Sequence, residues 1–356
     1  MINLVAPINS LGYGVVGLNV LKSLSLKDKV ALWPIGQISI SSKDEEKVCV
    51  EAINNTATYD KNAPCVRIWH QHDLAQFVGK GLHVGFPIFE LNDFNKIEKH
   101  HLKNCDKLFV CSEWAKDVLY NLRGWTNPPI EVVPLGVDNN LFKPTPSNNK
   151  RTVFFNCGKW EVRKGHDILI DAFTQAFSPE DEAELWMMCD NPFCTEEETA
   201  KWEYKYKSTN HYKNGRIRLI PRVSTHEGVY NVMSKIDCGV FPSHAEGWNL
   251  EALEVLACGK QLIITNYSAH TEFCNNQNAH LIEIDELELA FDNKWFHGQG
   301  EWAKIGTSQM NQLIEHMKNV HTMKQSGQNI LNNAGVETAN KFTWENTSQR
   351  ILQYVQ

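Results

Sequence analysis

Two carboxylates, Glu246 and Glu254, stand eight residues apart in the stretch Ser243-His244-Ala245-Glu246-Gly247-Trp248-Asn249-Leu250-Glu251-Ala252-Leu253-Glu254, directly after the apolar run Cys238 to Phe241 and Pro242. Carboxylates accept hydrogen bonds from hydroxyl groups. A helix opening near Trp248 and Asn249 would add amide donors for an anion. Were residues 246 to 254 all helical, the acids would stand about 12 Å apart at about 1.5 Å per residue. That is the reach of a sugar, a diphosphate and a ribose laid end to end. The plainer use of Glu246 is as a first-turn acid and of Glu254 as an exposed helical one, a part Glu251 could fill instead.

Three further constellations fall at strand ends. Asn156-Cys157-Gly158-Lys159-Trp160-Glu161-Val162-Arg163-Lys164-Gly165-His166 places Lys159 after an apolar run and Lys164-Gly165 ahead of a helical pattern. Two cations there would neutralise a diphosphate leaving group, and Arg163 competes with the lysines for the inward position. Ser10-Leu11-Gly12-Tyr13-Gly14-Val15-Val16-Gly17 follows the first apolar run. Glycines before a helix let backbone amides approach a phosphate, although such turns are common in α/β chains. Trp69-His70-Gln71-His72-Asp73 and Phe86-Pro87-Ile88-Phe89-Glu90 close two more runs and offer histidines and acids for proton transfer or hydroxyl binding. His70 and His72 lack a third metal ligand, so no metal site is assigned.

The elements that must carry these residues alternate. Twelve short apolar runs read as strands: Ile2 to Val5, Val30 to Trp33, Val66 to Trp69, Leu82 to Phe86, Lys107 to Val110, Ile130 to Val133, Thr152 to Asn156, Glu184 to Cys189, Ile217 to Ile220, Cys238 to Phe241, Gln261 to Thr265 and His280 to Ile284. Helical patterns lie between them, among them Gly17 to Leu24, Glu113 to Leu122, His166 to Phe177, Glu227 to Lys235 and Asn249 to Ala257. Strands alternating with helices predict parallel, doubly wound sheets. Lys143-Pro144-Thr145-Pro146-Ser147-Asn148-Asn149-Lys150 is proline-rich and polar and reads as a linker. It divides the chain into domains 1–145 and 150–340. The amphipathic tail 341–356 is expected to pack back on the first. Ligands of doubly wound sheets bind beyond the carboxyl ends of the strands, and two such domains facing one another would share a central cleft.

Composition narrows the field. At 356 residues the chain suits two domains, and 42% hydrophobic with 22% charged residues is ordinary globular usage. A net charge of −7 argues against a nucleic-acid partner. No run of 18 apolar residues predicts a membrane span. The start Met1-Ile2-Asn3-Leu4-Val5-Ala6-Pro7 reads as a strand rather than a signal peptide. Ten scattered cysteines with no C-x-x-C pair fit reduced thiols and a cytoplasmic location. Trp295, Phe296 and Trp302 suggest core packing ahead of an exposed aromatic surface.

Taken in order, Gly158 to Gly165 and Glu246 to Glu254 resemble the donor-site signatures of family-4 retaining glycosyltransferases of the GT-B fold. The resemblance extends to Asp106 to Trp114, Val132 to Asp138 and Phe342-Thr343-Trp344, so it covers nearly the whole chain. It implies metal-independent transfer of a sugar from a nucleotide-diphosphate sugar, without a resident cofactor and with retained anomeric configuration. Carried over, it places Lys159 and Lys164 on the diphosphate and Glu246 on the donor sugar. Glu254 falls to the ribose, the amides of Gly247, Trp248, Asn249 and Leu250 to sugar and phosphate, Gly14 to the phosphates, and Arg222 and Val223 to the base. His70, His72 and Asp73 become acceptor-side candidates.

The chain departs from the family pattern in places. Lys159 stands where many relatives have arginine, and Phe89-Glu90 where many have a histidine, which gives Glu90 the donor sugar's outer hydroxyls. Asp190-Asn191-Pro192-Phe193 replaces a glycine-containing loop, Asn249 replaces a small residue, and the first domain is short. The expected activity is glycosyl transfer, of the hexosyltransferase type, to a glycan, protein or lipid-linked hydroxyl. A nucleotide-sugar epimerase and a non-catalytic nucleotide-sugar-binding protein are the alternatives. Donor sugar, base, acceptor and oligomeric state stay open.

Overall fold

The computed structural model describes residues 1–40, 42–122 and 124–355. It divides into two compact units, Met1–Gly136 with Phe342–Gln356, and Val137–Lys341.

The first unit is built on a six-stranded sheet in the order β2-β1-β3-β4-β5-β6. Its strands are β1 Ile2–Ala6, β2 Val30–Pro34, β3 Cys65–Ile68, β4 His83–Phe86, β5 Lys107–Val110 and β6 Ile130–Val132. Every pairing is parallel, for example Leu4 beside Leu32 on one flank and Val66 on the other. β1, β3 and β4 are buried along their full length, as a sheet covered on both faces requires. On one face Leu74, Phe89, Phe94, Leu102, Leu108 and Ile130 form a continuous core. The closing helix Trp344–Val355 packs on the helix Gly12–Ser25. Ser23 and Ser348 share a buried hydroxyl bond of 2.7 Å, and Thr347 donates to the Pro134 carbonyl at 2.8 Å.

The second unit is also built on a six-stranded sheet, but in a different order, β12-β11-β10-β7-β8-β9, with three strands on each side of the reversal where the first unit has two and four. These strands are β7 Thr152–Gly158, β8 Ala183–Cys189, β9 Ile217–Leu219, β10 Cys238–Phe241, β11 Gln261–Thr265 and β12 His280–Ile282, again all parallel. Phe154, Phe173, Leu185, Val240, Ile263 and Leu313 belong to its core. An antiparallel hairpin follows, β13 Leu287–Phe291 and β14 His297–Ala303, which no apolar run in the sequence marks. Trp302 is buried in it, Phe296 packs on Trp302 at 5.3 Å, and Trp295 stays 45% exposed. The three aromatics therefore split between core and surface.

The expected linker 143–150 is not a free connection. The division falls at Gly136, and Thr145 is held within the second unit. Its amide donates to the Cys258 carbonyl, its carbonyl accepts from Lys260 Nζ at 2.6 Å, and its hydroxyl lies 2.9 Å from that of Tyr230. Residues 137–145 thus belong with the second unit, not the first. The ten cysteines are thiols outside any disulfide, and among the described residues no helix is long and apolar enough to cross a membrane.

Candidate active site

A doubly wound sheet opens a crevice where successive crossovers leave a central strand in opposite directions, beyond the carboxyl ends of the two strands at that point. In the second unit these strands are β7 and β10. The loops that follow them are Gly158–Gly165 and Pro242–Asn249, so topology alone brings the lysine cluster to the acid cluster. Gly165 caps the helix His166–Ala176 with φ +68°, and a Cβ there would lie 2.2 Å from the Pro242 carbonyl oxygen. Only glycine lets the two loops approach so closely. The His244 amide then donates to the Arg163 carbonyl at 2.7 Å.

Buried ion pairs join the loops. Glu246 meets Lys164 Nζ through Oε1 at 2.8 Å and Arg163 Nη1 through Oε2 at 2.7 Å. Ser243 Oγ donates to Oε1 at 3.1 Å, and the Glu246 amide donates to Ser268 Oγ at 2.9 Å. Arg163 Nη2 continues to Glu161 at 2.8 Å, and Glu161 accepts from the half-exposed Lys159 at 2.7 Å. Burial pushes the Glu246 carboxyl upward, yet Arg163 and Lys164 outweigh it and hold the group well below the usual carboxylate range. Lys164 is held charged in the same way, with Glu246 overcoming the penalty of burial.

The two buried cations are engaged differently. Arg163 spends its fork on Glu246, Glu161 and the Ala245 carbonyl, whereas an ammonium such as Lys164 has three donors and shows one to Glu246.

Glu254 sits in the opposite environment. It is half-buried on the helix Leu250–Ala257, and among the described residues no ion pair reaches it. Burial first, and Glu251 next, push its carboxyl well above the ordinary value. Residues 246 to 249 are not helical, so a rise of one continuous helix does not set the separation of the two acids. The chain turns at Asn249, with φ +81°, a left-handed conformation unusual for a residue with a Cβ. Asn249 Oδ1 caps the helix by accepting from the Ala252 amide at 3.1 Å, and its Nδ2 donates to His270 Nε2 at 2.9 Å. His270 Nδ1 lies 3.0 Å from the Thr265 carbonyl, which fixes the tautomer as Nδ1–H. Burial lowers the His270 pKa to about 4, and burial with Lys164 lowers that of His166 to about 3. Both rings are neutral structural links near pH 7. His166 accepts from the Glu161 amide at 3.3 Å and donates to Asn156 at 3.0 Å.

Of the remaining expected residues, Gly247, Trp248 and Leu250 lie on the same turn, with Trp248 buried against Phe273. Arg222 and Val223 are in the loop after β9, where Arg222 lies 4.0 Å from Asp190 of the loop after β8.

In the first unit the reversal falls between β1 and β3, and aromatic rings gather there. Tyr13 lies 5.5 Å from Trp69 and 4.5 Å from His70, and His70 stacks on His72 at 5.4 Å. The Tyr13 hydroxyl donates to the Ile88 carbonyl at 2.7 Å and accepts from its amide at 2.9 Å. Burial, above all, raises the Tyr13 pKa, and Glu90 adds to it. Asp73 is engaged with buried Arg67 at 2.8 Å, which gives it a structural task beside any acceptor role. Gly14 is required by packing: a Cβ there would fall 2.2 Å from Asn9 Oδ1. Ser268 and His270 carry no sequence signal for this site, because nothing local marks them, and Glu161 lies within the lysine-bearing stretch without being given a role there. Among the described residues no group of three or more acids, histidines and cysteines could hold a metal ion.

Comparison with known proteins bears on what these loops serve. Residues 151–293 match the family model of the glycosyl transferases group 1. The mannosylfructose-phosphate synthase of Agrobacterium fabrum is 24% identical over 215 residues, which is 54% of this chain and 47% of that protein. The chain spans about half the length of the curated relatives it matches. Among solved structures, sucrose-phosphate synthase from Thermosynechococcus elongatus superimposes with a TM-score of 0.69 at 15% identity, covering 99% of this chain and 97% of that one. Anabaena HepE, solved in complex with UDP-glucose, gives 0.70 at 15% identity, covering 99% and 98%. At such identities these likenesses establish the fold.

Proposed function

From a chain that shares the two-unit GT-B architecture of known glycosyltransferases and matches their group 1 family model over residues 151–293, we infer a transferase that moves a sugar from a nucleotide-diphosphate sugar to an acceptor hydroxyl. The single observation that carries this reading is the buried junction of Lys164 and Glu246 at the sheet reversal of the second unit. It sets a charged ammonium with spare donors next to an ionised carboxylate, which suits a phosphate beside a sugar hydroxyl.

In this reading Lys164 and Lys159 neutralise the diphosphate, and Glu246 orients the donor sugar. The amides of Gly247, Trp248, Asn249 and Leu250 support both groups, since the first amides of a helix lack intrahelical acceptors. Glu254 accepts from the ribose hydroxyls, and Arg222 and Val223 border the base. Gly14 and Glu90 of the first unit belong to the donor phosphates and outer sugar hydroxyls, and His70, His72 and Asp73 to the acceptor. The bond from the anomeric carbon to the phosphate oxygen breaks while the acceptor oxygen bonds to that carbon on the same face. The hydroxyl proton departs with the diphosphate, so configuration is retained and neither an enzymic nucleophile nor a metal is required. UDP-glucose, bound by the Anabaena neighbour, is the first donor to try. An epimerase would need an acid–base pair over the sugar, and the nearby histidines His166 and His270 are pinned neutral.

Incubation with a panel of nucleotide sugars, with and without candidate acceptors, should release nucleoside diphosphate from at least one. No release and no thermal stabilisation by any nucleotide at saturating concentration would sink the reading. Ribose hydroxyls favour the ionised form of Glu254, whose pKa is raised in the free protein. Glu254→Gln, which lacks a carboxylate to accept from the ribose, should weaken nucleotide binding itself, as read by calorimetry.

A further inference from the structure

The loop Gly158–Gly165 also contributes to a second concavity that the transferase reading leaves unused. This groove, of about 210 Å³, is lined by Trp160, Glu161 and Val162 of the loop, by the helix Glu196–Lys207, and by the turn of the β13–β14 hairpin. On one side Trp160 and Trp202 stack nearly parallel, 5.7 Å apart at 9°, with Lys205 Nζ 4.8 Å from the Trp202 ring. Trp160 is 2% exposed, and among the described residues its Nε1 finds no acceptor.

The hairpin side is built rather than loose. Asp292 Oδ1 accepts from the amides of Lys294, Trp295 and Phe296 at 2.8, 2.7 and 2.9 Å. Lys294 bridges to Glu198 at 2.7 Å, which ties the turn to the helix. Trp295 is left 45% exposed with Phe193 edge-on at 6.0 Å. Three acids (Glu161, Glu198, Asp292) balance three lysines (Lys201, Lys205, Lys294) in the lining, so the groove has no net charge to attract a polyanion.

We propose that this groove binds an uncharged sugar ring of a glycan, separately from any nucleotide sugar. Indole faces present rigid apolar area to the C–H face of a sugar, while carboxylates accept from its hydroxyls and ammonium and indole N–H groups donate to its oxygens. A volume below the roughly 300–1,000 Å³ of ordinary small-molecule pockets fits one ring rather than a whole cofactor. The proposal goes beyond the transferase reading and does not depend on it.

The test is a titration of the intact chain, without nucleotide, by neutral oligosaccharides of glucose, mannose, galactose and N-acetylglucosamine, followed by tryptophan fluorescence and ligand-observed NMR. At least one should bind saturably. Trp295→Ala and Trp202→Ala should each weaken that binding about tenfold, as loss of a central aromatic anchor does, and Trp295→Phe should retain most of it. Nucleotide-induced thermal stabilisation should be the same in all variants, which separates this groove from the proposed donor site. Absence of saturable binding by every sugar overturns the proposal. So does binding indifferent to both alanine variants, or a groove that takes uridine or an unstructured peptide more tightly than any sugar.

Discussion

In the first unit the strands that flank the sheet reversal, β1 and β3, lead into Tyr13, Trp69, His70 and His72, whose rings lie against one another. In the second, β7 and β10 lead into Glu161, Arg163, Lys164 and Glu246, a buried lattice of full charges. The strand orders of the two sheets differ, yet the mechanical consequence is the same, a pair of loops brought together where the order reverses. What differs is what the loops bring. Aromatic rings give shape and apolar area at little electrostatic cost, whereas buried charges are tolerable only when each is answered by another. The aromatic crevice should therefore tolerate the loss of a polar contact better than the charged one tolerates the loss of a member. The same contrast separates the two acids of the opening motif, Glu246 answered by two cations and Glu254 by none among the described residues.

The largest effect should follow from unbalancing the charged lattice. Glu246→Ala leaves Arg163 and Lys164 buried without their carboxylate, and should cost about 3–5 kcal/mol in urea unfolding, beyond any loss of turnover. Its pH dependence has a definite sign. Because the folded pKa of Glu246 is depressed, its contribution is full above about pH 4.3, the value of an unperturbed glutamate, and is lost as pH falls through the folded value. Glu254 runs the other way: its pKa is raised, so its contribution is full below about pH 4.3 and fades as pH climbs through the raised value. A Glu246→Ala protein as stable as the parent would show that the lattice does not hold the two loops.

Next comes the turn between the acids. Asn249→Ala places an alanine at φ +81° and removes the cap to Ala252. The left-handed conformation costs about 1–2 kcal/mol and the lost cap about 1 kcal/mol. Asn249→Gly should recover most of the conformational part, and equal destabilisation by the two would refute strain as the cause.

The smallest effect should be in the aromatic crevice. Tyr13→Phe removes the hydroxyl shared with both backbone groups of Ile88 while keeping the ring. It should cost about 1–2 kcal/mol by thermal or urea unfolding. A loss as large as that of Glu246→Ala would erase the distinction between the crevices.

Much of this architecture was legible beforehand because burial on both faces of a parallel sheet writes itself as continuous apolar runs. The twelve strands of the two parallel sheets lie where those runs are, with ends that differ by at most two residues. The motif Lys159 to Lys164 and the acids Glu246 and Glu254 were legible through their order along the chain, and the group 1 family model covers them. The hairpin β13–β14 was not, because its strands are polar and half-exposed and show no apolar run. The tether of Thr145 to Lys260 and Cys258 was equally hidden: a proline-rich segment looks like a linker until its partners, more than a hundred residues away, are in place.

By itself, then, the sequence determined two doubly wound sheets and the residue types at their carboxyl ends, because periodicity and strand-end position are local properties. Only the tertiary structure decided which cation answers which acid. Arg163, Ser268 and His270 reach the Glu246 turn, and Glu161 is tied to it through Arg163, by a glycine-permitted approach of two loops and through the segment after β11, and a carboxyl is pushed up or down by the charges and burial around it in space. Glu246 and Glu254 are the same residue type eight positions apart, yet one meets two buried cations and the other a like charge.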